Sequence, residues 1–111
     1  GEREEAFEFL YEALGIAFQI GARPLALEVS AEIGALLAGG EAQEGEQAAE
    51  LLTFVHDHPQ TDKWTTERAE QLLAKLSSRL APEIWATAQE RGRSRTLEGV
   101  VNALLRPDRA A

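Results

Sequence analysis

Chemistry in this chain would have to come from four short stretches. HDHP, residues 56–59, brings His56 and His58 together around Asp57. A zinc site on a helix uses ligands four apart, which share one face. Residues two apart diverge, so this spacing fits a helix end better than a metal centre. Glu4, Glu8 and Glu12 are four apart and do share a face. Three carboxylates with no histidine or lysine beside them do not complete an acid–base set. The same spacing marks the solvated side of an amphipathic helix. AGGEAQEGE, residues 38–46, is glycine-rich but lacks the Gly-Lys-Ser/Thr ending of a phosphate loop. Its glutamates would repel phosphate, and it reads as a flexible loop between helices. QERGRSR, residues 89–95, puts three arginines into seven residues. Arginine is favourable at a helix C-terminus, and Gly92 would supply a left-handed turn. A hinge between two helices is therefore expected there, in place of a phosphate contact.

No catalytic, cofactor-binding or metal-binding residue emerges, and the chain reads as a non-enzyme. Two tryptophans remain. Trp85 lies beside Ile84 and Ala88 in a helical pattern and is expected in the core. Trp64 is flanked by Lys63, Thr65 and Thr66. Packing over the preceding helix is its default reading, and an exposed anchor for a partner is the alternative.

The elements that would position these residues are helical. The 111 residues allow one domain, and 44% hydrophobic with 27% charged residues is a globular balance. With no cysteine, disulfides, thiol catalysis and cysteine-ligated zinc are excluded. With no methionine and a start at Gly1, the sequence is read as a piece of a longer protein. The longest uncharged apolar run falls well short of the roughly 20 residues of a membrane span. Residues 1–60 carry two basic and twelve acidic side chains, whereas residues 61–111 carry nine basic and seven acidic. So acidic a half argues against direct nucleic-acid contact.

Helical periodicity predicts helices over about 3–20, 24–38, 46–56, 61–80, 82–91 and 96–105. Phe7, Leu10, Tyr11, Leu14 and Phe18 form the apolar stripe of the first. Gly21 suits its end, and Pro24 the start of the second. Val29, Ile33, Leu36 and Leu37 form the second stripe. Ala48, Leu51, Leu52 and Val55 form the third, stopped by Pro59. Thr61 is the expected N-cap of the fourth, whose stripe is Ala69, Leu72, Leu73, Leu76 and Leu80. The fifth opens at Pro82. Leu97, Val100, Val101, Leu104 and Leu105 line the sixth, and Pro107 closes a tail. Short connections predict that consecutive helices pack antiparallel.

EEAFEFLYEAL can be laid over EQAAELLTFVH at an offset of 42 residues, so that Ala6 falls on Ala48, Leu10 on Leu52 and Ala13 on Val55. One helix separates the two, the layout of a repeat built from helix pairs. The small–large–small spacing of Ala6, Leu10 and Ala13 resembles the second helix of a tetratricopeptide repeat. Residues 42–105 resemble the end of the helical-repeat region in LuxR-type and related bacterial signalling ATPases. The matching pieces are Arg68 to Leu73, Glu90 to Arg93, and Leu97 to Leu105. The phosphate-binding loop and helix-turn-helix of that family have no counterpart here, so its chemistry is not carried over. The resemblance implies a tetratricopeptide-like α-α superhelix closed by a C-terminal capping helix pair, in a cytoplasmic regulator. The function expected is a non-catalytic interaction or sensor segment that binds a protein, a peptide or other domains of its parent. An architectural dimerisation bundle is the alternative. Phe7, Leu10, Tyr11, Leu14 and Trp64 are the candidate interaction residues, with a homodimer through the first helix expected.

Overall fold

A computed structural model describes residues 1–106. The described residues are all-α, with six helices: α1 Glu2–Gln19, α2 Arg23–Ala38, α3 Ala42–Asp57, α4 Lys63–Ser77, α5 Pro82–Arg93 and α6 Leu97–Leu104. The tail beginning at Pro107 lies outside them. Glu2, Glu4 and Glu5 occupy the first turn of α1, where carboxylates offset the positive end of the helix. Gly21 follows its last turn at φ 76°, the left-handed conformation expected there. Pro24 sits in the first turn of α2, where its missing N–H has no helical partner to lose.

Three boundaries differ from the sequence expectation, each for a capping reason. The glycine-rich stretch is not a loop throughout, because α3 begins at Ala42. Glu41 and Glu44 form a capping box that satisfies the free N–H groups, and this carries the helix through Gly45. The N-cap of α4 is Asp62, whose carboxylate accepts from Thr65 N at 2.8 Å. Thr61 instead donates its hydroxyl to Val55 O at 2.7 Å and closes the end of α3. At the other end, α4 stops at Ser77, where the Ser77 and Ser78 hydroxyls bond Ala74 O and Lys75 O. Such local bonds compete with continuing the helix.

Helix α3 is the centre of the fold and packs on α2, α4 and α5. Small residues permit the close approaches. A side chain at Gly34 would meet Leu52 at 2.8 Å, and one at Gly92 would meet the backbone oxygen of Glu50 at 2.4 Å. Gly92 is thus a buried contact between α5 and α3, not the left-handed hinge expected. Helix α5 packs on α3 rather than on its predecessor α4, and α6 crosses to α1. The last two helices therefore do not close one end of the stack as a pair. Arg23 bonds Gln60, Arg68 bonds Glu32, and Arg79 bonds Ala38 O, so α2 and α4 run in the same direction. The smallest extent, 22 Å, is about two helix diameters.

Candidate functional site

One concavity lies where α1, α3 and α6 fail to close against one another. It has a volume of about 610 Å³ and an apolar floor of Phe7, Tyr11, Leu51, Phe54, Val100 and Leu104. Phe7 and Tyr11 are one turn apart on α1 and stack with ring centroids 5.8 Å apart. Arg3, a turn earlier, lies 4.9 Å above the Phe7 ring. Its guanidinium donates to Glu44 at 3.1 Å and to Leu36 O at 3.1 Å, tying α1 to α3 and to the end of α2. At the α6 end, Arg95 pairs with Glu50 and donates to Gly99 O. Thr96 caps α6 through Gly99 N at 3.1 Å. The groove is therefore apolar along its floor and bracketed by two arginine–glutamate pairs. Arg95 belongs to the basic run of the sequence, and Arg93 of the same run faces Asp57 at 3.7 Å. The run joins α5 and α6, and its Arg93 and Arg95 face the α3 carboxylates of Asp57 and Glu50. Its partner acids could not be identified without the fold.

The candidate residues divide. Phe7 and Tyr11 line the groove and are half-buried, while Leu10 is half-buried against the core. Leu14 is 0% exposed, so its assignment as an interaction residue is corrected: it belongs to the core. Trp64 is 82% exposed and does not pack over α3, which overturns the packing default and leaves the exposed-anchor alternative. Ile84, expected inside, is exposed, whereas Ala88 is buried and Trp85 packs half-buried on the core. The sequence reading missed a second stripe on α1. Phe9, Ile16 and Ile20 are 72%, 52% and 69% exposed. At spacings of seven and eleven they share one face, opposite to Phe7, Leu10, Leu14 and Phe18. The signal was present: α1 is apolar on two sides, and such a helix is normally covered on both.

The HDHP cluster joins helices. His56 Nδ1 meets Asp57 at 2.8 Å, and its Nε2 meets Glu70 of α4 at 3.0 Å. The hydrogen bonds to Asp57 and then Glu70 raise its pKa above the ordinary 6.5. His58 turns away, accepts from Gln60 N at 3.1 Å and lies edge-on to Phe54. Burial, followed by the charge of Arg23, lowers its pKa. The two imidazoles thus diverge, and no metal-binding group of three or more His, Cys, Asp or Glu is found among the described residues. No helix among them is long and apolar enough to cross a membrane. No family model, curated protein or solved structure matches this chain.

Proposed function

We propose that this chain is a non-catalytic protein-interaction or sensor module of a multidomain, cytoplasmic bacterial regulator of the signalling-ATPase class. In this reading it takes a peptide or a partner domain in the groove between α1 and α3. The observation that carries the reading is the groove itself, an apolar floor with the stacked Phe7 and Tyr11 at one wall and charged pairs at its rim. Apolar concavities with a few placed polar groups are the usual form of a binding site. Four charged pairs join one helix to another or to a neighbouring loop: Arg3–Glu44, Arg68–Glu32, His56–Glu70 and Arg95–Glu50. Such use of charge suits a scaffold. The parent class rests on the resemblance of α4 to α6, whose matching residues are packing residues.

Gln47 is exposed and lines the groove, so Gln47→Trp should fill it without disturbing the core. A thermal-shift screen of amphipathic peptides should find ligands that raise the Tm of the unaltered chain and leave the Gln47→Trp variant unmoved. Ligands that stabilise both equally, or a screen that finds none, would remove the groove as the binding site. A second reading, an architectural dimer through α1, is favoured by the exposure of Phe9, Ile16 and Ile20. Sedimentation over a range of concentrations separates it, because only that reading expects a dimer that Phe9→Ala dissociates.

A further inference from the structure

The charges of the groove are unevenly matched. It is bordered by two arginines and four glutamates. Both arginines are engaged twice within the chain. Arg3 is held by Glu44 and Leu36 O, and Arg95 by Glu50 and Gly99 O. That leaves Glu4 and Glu8 of α1. Among the described residues Glu8 forms no ion pair, and Glu4 pairs only with the terminal amino group, 3.4 Å away and with its own side chain 83% exposed. So exposed a pair adds little. Four residues apart, the two carboxylates stand one above the other on α1, beside the aromatic row of Phe7 and Tyr11. The α6 wall across from them contributes Val100, Ala103 and Leu104, and no charge. The groove thus has one acidic wall, an apolar floor and an apolar far wall.

We infer that the groove takes a basic amphipathic segment of another protein, its apolar residues on the floor and its lysines or arginines against Glu4 and Glu8. This inference rests on the interaction-module reading and adds to it the charge of the partner and the wall that reads that charge. An acidic segment is disfavoured. The cations lining the groove, Arg3 and Arg95, are held by Glu44 and Glu50, and taking either one would leave a half-buried carboxylate unpaired. Charge also selects a foreign partner over a second copy, because two chains of net charge −8 repel one another. With free carboxylates on one wall only, basic residues along one flank of the segment fix which way it lies.

The probe is a synthetic amphipathic helix of about 18 residues, five turns, with leucines on one face and lysines along one flank of it. Its counterpart has glutamate in place of every lysine. Fluorescence anisotropy should show saturable binding of the lysine helix and binding about 10-fold weaker for the counterpart. Glu4→Lys with Glu8→Lys, both exposed, should reverse that preference. Glu28→Lys with Glu67→Lys changes the net charge equally at exposed positions outside the groove and should leave the preference in place. Gln47→Trp should abolish binding of both helices. Equal binding of the two helices, or a preference that Glu4→Lys with Glu8→Lys leaves unmoved, would overturn the inference. If Gln47→Trp still abolished that binding, the groove would stand as a site without this charge rule. A preference lost equally with Glu28→Lys and Glu67→Lys would assign it to net charge and overturn the inference as well. So would self-association dispersed by Gln47→Trp, which would give the groove to a second copy. No binding of the lysine helix would overturn it too: alone if the peptide screen still finds a ligand that Gln47→Trp blocks, and together with the groove reading if it finds none.

Discussion

Helices α1 and α3 share a small–large–small pattern, yet one is an edge and the other a centre. Eight of the sixteen residues of α3 are buried, against two of the eighteen in α1. The glutamates facing the groove from α3, Glu44 and Glu50, are held by arginines, whereas those on the outer face of α1 are not. The pattern encodes the capacity to pack, and neighbours decide whether that capacity is used. An apolar stripe that is essential to stability on α3 is therefore dispensable to the fold on α1 and available for recognition.

Truncating the corresponding residues tests this contrast most strongly. Leu51→Ala should cost about 2–4 kcal/mol, because it opens a space between packed helices. Phe9→Ala should stay within about 0.5 kcal/mol of the parent chain, as surface changes do. Urea denaturation followed by circular dichroism reads both, and equal losses would break the comparison. The seam between α3 and α5 is the next largest. Gly92→Ala places a methyl group against the Glu50 carbonyl and should cost about 1–3 kcal/mol. Gly15 on α1, whose nearest contact is a flexible Leu105 methyl at 3.5 Å, should tolerate alanine. The smallest effect concerns pH. His56 has a raised pKa in the folded chain, so its contribution is fully present below about 6.5 and is lost as pH rises through the folded value. His58 works in the opposite sense, since its lowered pKa removes stability as pH falls. Comparing the chain with Glu70→Gln isolates the first. The variant's deficit in Tm should be larger at pH about 5.5 than at about 8, and a pH-independent deficit would exclude the clamp.

The inner stripe of α1, the boundaries at Gly21, Pro24 and Pro82, and the apolar faces of α3 and α6 were legible because each is a local pattern with a local cause. The start of α3 was obscured because Gly39, Gly40 and Gly45 outweighed the capping pair Glu41 and Glu44 between them. Gly92 was misread because a glycine that lets two helices touch looks, in sequence, like one that lets the chain turn. The groove depends on α6 crossing to α1, a long-range choice that no local period records. Phe9, Ile16 and Ile20 were in plain view, but one apolar stripe already accounted for α1 as a helix.

The central claim is that α1 presents an open copy of a face that α3 keeps covered. Hydrogen–deuterium exchange of the free chain tests it most directly. The account predicts that the amides of α1 exchange much faster than those of α3. An α1 as protected as α3 would contradict it.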